Sequence, residues 1–326
     1  MYKNKKILIT GGLGFLGSNL AIRLANDNAF VTVLDNLNPL YGGNRFNVEG
    51  FSDKIRIIIG DIRDYNLLKN EIMEVDYIFH FAAQVSYIDS LSMPFEDMDL
   101  NAKSTLMLLE LCREYNSKVK IIFSSSRMVL GYINKSRFDE KCATNPLSLY
   151  GIHKLTAEKY FLMYYKDFNI ESIIYRITNP YGPRQQIKHS KYSLPGWFIR
   201  QAMENKTIKI FGTGNQIRDY IFVDDIINGI YLASQQKEAI GQIINIGSGK
   251  SRKFKDMVNT IINIVGKGKI EYVTWPENYE KIETGNSIAN IQKLKKMTTF
   301  KSQFSLEKGI EETFKYYSKY AKYYKM

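Results

Sequence analysis

An apolar run, Ile7-Leu8-Ile9-Thr10, feeds directly into Gly11-Gly12-Leu13-Gly14-Phe15-Leu16-Gly17, and a helix-like stretch from Ser18 to Asn26 follows. Gly12, Gly14 and Gly17 satisfy a G-x-G-x-x-G spacing, and Gly11, Gly14 and Gly17 satisfy the G-x-x-G-x-x-G variant. Strand, tight turn and helix in succession open a βα unit, a context that a chance glycine match lacks. Missing side chains let the backbone approach a pyrophosphate closely. The new helix then aims its free N–H groups and the positive end of its dipole at the phosphates. The next strand-like run, Phe30-Val31-Thr32-Val33-Leu34, ends at Asp35, about twenty residues past the glycines. An acid there accepts from a ribose 2′-hydroxyl and repels a 2′-phosphate. Neither Asn36 nor Leu37 offers a cation, and Arg45 reaches the spot only if its loop folds back. The pattern predicts a nicotinamide or flavin cofactor, with NAD favoured over NADP.

Strand-like runs recur at Lys6–Thr10, Phe30–Leu34, Ile55–Ile59, Tyr77–Phe81, Lys120–Ser124 and Ser172–Tyr175. Helix-like segments lie between them, notably Phe95–Tyr115 and Leu149–Phe168. Such alternation implies a parallel sheet covered on both faces, with ligands at the carboxyl ends of its strands. After Arg176 the segments shorten and loops multiply, until Ile243-Ile244-Asn245-Ile246 returns as a strand. The expected architecture is α/β: a Rossmann-type doubly wound parallel sheet with a smaller C-terminal α/β substrate domain. Residues 1–176 and 216–248 are expected to form the cofactor domain, and 177–215 and 249–326 the substrate domain.

With 326 residues, 44% of them apolar, the chain can bury one large core or two smaller ones, which argues against disorder. No window approaches eighteen uncharged apolar residues, so no membrane span is expected. Met1-Tyr2-Lys3-Asn4-Lys5-Lys6 runs into a strand without the apolar region of a signal peptide. Cys112 and Cys142 match no metal or redox spacing. A cytoplasmic protein with two free thiols and no metal site is the simplest reading. The net charge of +12 raises the possibility of nucleic-acid binding, but the lysines are scattered. The basic, aromatic run Phe314 to Lys325 is better read as a docked amphipathic helix, because Leu306, Ile310, Phe314 and Tyr317 follow helical spacing. Positive charge also attracts an anionic substrate.

Tyr150 and Lys154 stand at i and i+4, on one helix face. A phenol has a pKa of about 10, and lowering it by ~3 units requires ~4 kcal/mol of differential stabilisation, which a nearby ammonium and a nicotinium can supply. In a chain with 23 tyrosines that spacing alone is weak. Upstream, Ile121-Ile122-Phe123-Ser124-Ser125-Ser126 reads as a strand ending in hydroxyls that can bond a reacting oxygen and the phenol.

From Lys6 to about Lys319 the chain resembles the extended short-chain dehydrogenase/reductase family, in its nucleotide-sugar epimerase/dehydratase branch. The shared pieces, in order, are the glycine turn, Gly60-Asp61-Ile62-Arg63-Asp64, His80-Phe81-Ala82-Ala83-Gln84, the serine run and Tyr150/Lys154. They continue with Arg176-Ile177-Thr178-Asn179-Pro180-Tyr181-Gly182-Pro183-Arg184, Arg218-Asp219-Tyr220-Ile221-Phe222-Val223-Asp224-Asp225 and Asn245-Ile246-Gly247-Ser248-Gly249. The resemblance implies NAD held by Gly11, Gly14, Phe15, Leu16 and Gly17, by Asp35 and Asn36, and by Asp61 and Ile62 around the adenine. It places Phe81, Ala82, Ala83 and Gln84 along the nicotinamide ribose and Asn101 near the cofactor. It makes Ser126 the hydroxyl that holds the sugar oxygen, Tyr150 the base, and Lys154 its pKa partner and a ribose ligand. Asn179 would touch the sugar diphosphate and Arg218 would pair with it. Trp197, Phe198, Phe211 and Gly212 would lie near the base.

Two departures bear on the reaction. Val129-Leu130-Gly131 stands where the family often has Val-Tyr-Gly, which removes an aromatic contact. Arg127 and Met128 stand where its 4,6-dehydratases carry an Asp-Glu pair, and neither can perform the acid/base elimination. The reaction so implied is 4-epimerisation of a nucleotide-diphosphate sugar through a transient 4-keto intermediate. The alternatives are a dehydratase, decarboxylase or 2-, 3- or 5-epimerase using another acid such as Glu96 or Asp89, and a non-catalytic NAD-sensing or nucleic-acid-binding protein. Arg127 either meets an acidic or unusual sugar or forms a surface or inter-domain salt bridge. His80 reads as structural, His153 as incidental and His189 as a solvated loop residue. Relatives pair helices 95–115 and 149–168 across a two-fold axis, so a homodimer is implied.

Overall fold

The computed structural model describes residues 2–133, 135 and 137–324. Seven strands form one all-parallel sheet: β1 (Lys6–Thr10), β2 (Phe30–Asp35), β3 (Ile55–Ile59), β4 (Tyr77–His80), β5 (Lys120–Ser126), β6 (Ser172–Ile177) and β7 (Gln242–Ile246). Their spatial order is β3-β2-β1-β4-β5-β6-β7. The chain therefore winds outward in both directions from β1, and the order reverses between β1 and β4. A crevice opens at the carboxyl ends at that switch point. Both faces of the central strands are buried, which is why they read as unbroken apolar runs: Ile7, Leu8 and Ile9, and Ile121, Ile122 and Phe123, are at most 1% exposed.

Helices α1 (Phe15–Asn26), α2 (Ser104–Tyr115), α3 (Leu149–Phe168) and α4 (Val223–Ala233) bracket the sheet. The predicted helix over 95–115 is interrupted. Pro94–Met98 and α2 are joined by a turn of π-helix at Asp99–Lys103, and within it Asn101 Nδ2 donates to the Gln84 carbonyl at 2.9 Å. Strand β5 runs past the predicted Ser124 to Ser126 because β6 pairs with it through Ser126↔Ile177. A buried ion pair ties β6 to α3. Arg176 Nη2 lies 2.7 Å from Glu158 Oε2, and the Ser125 hydroxyl donates to Glu158 Oε1 at 2.5 Å.

The remaining segments form small two-stranded pairs above the carboxyl edge. Asn179–Tyr181 runs parallel to Tyr220–Phe222, and Thr207–Phe211 runs parallel to Lys269–Val273. The C-terminal aromatic run is a docked helix, α5 (Leu306–Tyr320), which buries Leu306, Ile310, Thr313 and Tyr317. Past it, Tyr324 Oη donates to Asn47 Oδ1 at 2.5 Å and Tyr323 stacks on Phe46 at 3.9 Å, so the tail clasps the segment after β2. Lys325 lies outside the described residues.

Candidate active site

A cavity of about 680 Å³ follows the carboxyl edge from the glycine turn to Trp197 and Phe211. At one end, Gly11 sits at φ +66°, and a Cβ there would come within 2.7 Å of Ala82 N. A Cβ on Gly17 would come within 2.2 Å of Gly11 O, whereas one on Gly14 would meet only Gly11 O, at 3.2 Å. The turn is thus packed hard against protein on two sides and open at Gly14. No side chain caps the N-terminus of α1, so its amides are free to face phosphate.

Phe15, Leu16, Asn36 and Ile62 line this end, with Phe81, Ala82 and Ala83 beyond them. Asp35 also lines it. Its carboxylate accepts from Leu13 N at 3.1 Å and Leu37 N at 2.9 Å. Burial raises its pKa against those two bonds, and a carboxylate still has lone pairs for a ribose diol. Arg45 is exposed and does not line the cavity, so no cation from that loop stands ready for a 2′-phosphate. These residues fit NAD.

Three residues assigned to the cofactor do not line the cavity: Asp61, Gln84 and Asn101. Asp61 is engaged by the Arg63 guanidinium and by Asn36 Nδ2 at 3.0 Å, and Arg63 holds its carboxyl down to about 2. Gln84 is fully buried and donates to Ser86 O and Asp97 Oδ2 at 2.7 and 2.9 Å. Asn101 supports Gln84 from the π-turn. Both belong to the packing beneath the cavity wall.

The centre is built by β5 and α3. Ser126 ends β5 and caps the turn at Arg127–Leu130, its Oγ accepting from Met128 N at 3.2 Å. Ser148 caps α3, placing Tyr150 and Lys154 in its first two turns. Gly151 makes the approach possible, since a Cβ there would fall 2.7 Å from Met128 O. Tyr150 and Ser126 line the same stretch of the cavity. Burial pushes the phenol above its ordinary value; Ser126 and Arg127 pull it down and Asp97 pushes it up. Burial lowers Lys154 to about 8, opposed by Asp97 and Glu158. Lys154 Nζ donates to Ser124 O at 3.2 Å and lies 4.8 Å over the Phe123 ring.

His153 has a partner in the fold: its Nδ1 lies 2.5 Å from Asp97 Oδ1, and Asp97 is fully buried. The i+3 position from Tyr150 gives no hint of this, because the partner comes from the Pro94–Met98 segment. His80 is structural, bonded to the Thr10 and Thr105 hydroxyls at 2.8 and 3.1 Å and held neutral by burial and then Lys154, with its pKa lowered to about 3. His189 sits in its loop, 3.4 Å from Leu40 O.

At the far end Asn179, Trp197, Phe211, Arg127 and Arg218 line the cavity. Asn179 Nδ2 donates to Asp219 O at 3.0 Å. Arg218 pairs with Glu283 and donates to Gly285 O at 2.7 Å. The salt-bridge reading of Arg127 is not met: half-buried, it has no carboxylate in ion-pair contact among the described residues, and its Nη1 donates to Thr284 Oγ1 at 2.6 Å. Of the alternative acids, Asp89 is held by Lys191 at 2.7 Å and Glu96 by Arg63 at 2.9 Å, and neither lines the cavity. Sequence reasoning missed Tyr87, Tyr220, Thr284 and Trp275, which complete this end. Only Tyr220 lies in a segment that the motifs marked. No group of three or more His, Cys, Asp or Glu side chains that could hold a metal occurs among the described residues, and no described helix is long and apolar enough to cross a membrane.

Residues 7–247 match the NAD dependent epimerase/dehydratase family. The UDP-glucuronate 4-epimerase of Thermodesulfobacterium geofontis is 30% identical over 314 residues, 94% of each chain. Epimerase Mth375 of Methanothermobacter thermautotrophicus superposes with a TM-score of 0.91 at 27% identity, covering 98% of this chain and 94% of that one. The dTDP-glucose 4,6-dehydratase of Bacillus anthracis, solved in complex with NAD, superposes with a TM-score of 0.85 at 30% identity, covering 98% of both.

Proposed function

This chain belongs to the NAD-dependent epimerase/dehydratase family, and we propose that within it the protein epimerises a nucleotide-diphosphate sugar at C4 through a transient 4-keto sugar. The relatives include both epimerases and dehydratases, and sugars both neutral and acidic. The observation that carries the choice of reaction is the set of carboxylates lining the cavity. Among the described residues only Asp35 and Glu283 do so, the first at the cofactor end and the second bound by Arg218. Elimination needs an acid and a base beside C5 and C6; Arg127 and Met128 occupy the turn next to Ser126 instead.

Bound NAD supplies a reversible hydride acceptor and, when oxidised, a positive charge near the phenol. The chain's own groups do the rest. Tyr150 Oη takes the proton from the C4 hydroxyl and later returns it. Ser126 Oγ holds that oxygen in line. Lys154, one helical turn from Tyr150 on the cavity wall, would hold the ribose and supply positive charge to the site, where burial raises the phenol's pKa. The apolar walls near Trp197 and Phe211 exclude water while the keto sugar turns over, and Arg218 and Asn179 keep the diphosphate in place. No residue consumes a proton in the net reaction, so one Tyr/Ser/Lys set suffices.

Proton NMR of the protein with NAD and UDP-, dTDP-, CDP- and GDP-hexoses and hexuronic acids tests this. A C4-inverted product without net NADH is expected. A new C6 methyl signal, an alkene or loss of the carboxyl carbon would replace the proposal with elimination or decarboxylation. Tyr150→Phe is expected to lower turnover at least ~1000-fold, the scale of a lost acid/base group, with NAD affinity nearly intact. Comparable turnover in that variant refutes the assignment. We further propose a homodimer through 95–115 and 149–168, whose outer faces expose Phe95, Ile152 and Met163.

A further inference from the structure

Arg127 is a half-buried cation that lines the cavity and, among the described residues, has no carboxylate in ion-pair contact. Its guanidinium offers five N–H donors, and among the described residues its one hydrogen bond is to the neutral Thr284 hydroxyl. Glu283, the one acid lining that end among the described residues, is taken by Arg218. A guanidinium drawn partly out of water in this way is seldom left unpaired, because its desolvation is uncompensated. Beside it, the Tyr220 hydroxyl is buried with no hydrogen-bond partner, though Tyr220 lines the cavity. Tyr87 lines the same wall, and Tyr87, Tyr220 and Glu283 all act on the charge of Arg127. The cluster therefore holds two guanidinium groups against one carboxylate, plus an orphaned hydroxyl.

Its position narrows what would satisfy it. Arg127 follows Ser126 in the chain, and its charge is felt both at the Tyr150 phenol and at Arg218. It lines the same cavity as Ser126, Tyr150 and Arg218, so a sugar reaching from the reacting hydroxyl to the diphosphate group passes within its reach. We infer that Arg127, with Tyr220 and Thr284, binds a carboxylate carried by the sugar, so that the substrate class is a nucleotide-diphosphate hexuronic acid. This rests on the reading of the protein as a nucleotide-sugar epimerase and adds the identity of the sugar's substituent.

The test compares NAD-loaded wild type with Arg127→Gln and Arg127→Lys, by calorimetric binding and by NMR turnover. The ligands are the UDP-, dTDP-, CDP- and GDP-hexuronic acids, the matched neutral hexoses and the free nucleoside diphosphates. Wild type is expected to bind the acid sugar at least tenfold more tightly than its neutral match. Arg127→Gln is expected to shrink that ratio roughly 10- to 100-fold, the worth of hydrogen bonds to a charged group, and Arg127→Lys to restore part of it. Three results overturn the inference. One is an equal loss of affinity for the free nucleoside diphosphate, which would assign Arg127 to the phosphates. Another is a fall in kcat alone, equal for both sugars, which would mean Arg127 acts only through Tyr150. The third is a wild type that inverts neutral hexoses and ignores the acids. Absence of C4 inversion on every sugar would sink the epimerase reading instead; an acid preference in binding that Arg127→Gln abolishes would still stand.

Discussion

Burial disfavours the Lys154 ammonium, and the negative charges of Asp97 and Glu158 oppose that loss. The same Asp97 charge opposes ionisation of Tyr150. Removing it works in one direction on both groups: the ammonium loses a supporting charge and the phenol loses a repelling one, so both pKa values fall. In Asp97→Asn, both limbs of the pH profile of kcat/KM are therefore expected to move to lower pH, the alkaline limb to below the value of about 8 that Lys154 has here. An unmoved profile would mean that Asp97 and His153 only pack. Tyr150, Lys154 and Ser126 were legible as residues because their spacing is local, a single helix face and a strand end. Asp97 and His153 were not, since nothing in either stretch of sequence says that the two meet.

At the scale of the element, the glycine turn separates two jobs. A methyl on Gly17 would strike backbone at Gly11 and Gly12, and one on Gly14 would reach only Gly11 O at 3.2 Å. Gly17→Ala is expected to destabilise the fold by about 1–3 kcal/mol, the range for overpacking. Gly14→Ala is expected to melt close to wild type while losing NAD affinity at least about tenfold, or ~1.4 kcal/mol. Melting curves and cofactor titration on the two variants check both. Equal melting losses would show that Gly14 serves packing as well. The strands read correctly to within a residue or two because period and apolar content follow from burial on both faces. Helix 95–115 read as unbroken because the apolar stripe of α2 continues upstream. The π-turn that turns Asn101 onto Gln84 shifts register without altering that stripe.

In the whole molecule the cavity is closed by contacts between distant segments. Tyr192 Oη donates to Leu40 O at 2.6 Å, and Lys191 meets Asp89 at 2.7 Å, so the loop after Asn179–Tyr181 is tied to the loops after β2 and β4. Exposed Phe95, Ile152 and Met163 give the outer helices an apolar face. Sedimentation is expected to give twice the chain mass for wild type and a monomer for Ile152→Asp combined with Met163→Lys. A wild-type monomer at micromolar concentration would overturn the dimer.

The parallel sheet was legible in the chain, as were the spacings of the glycine turn, Asp35 and the Ser126/Tyr150/Lys154 set, because each is a short-range pattern of residue type and period. The assembled fold is what shows Asp61, Gln84 and Asn101 bonded to protein groups, His153 paired with Asp97, and Arg127 lining the cavity with no acid in ion-pair contact among the described residues. Those facts depend on which side chains distant segments bring together and on how much water they leave out. Burial and electrostatic pairing are properties of that assembled volume, and no local stretch of the chain contains them.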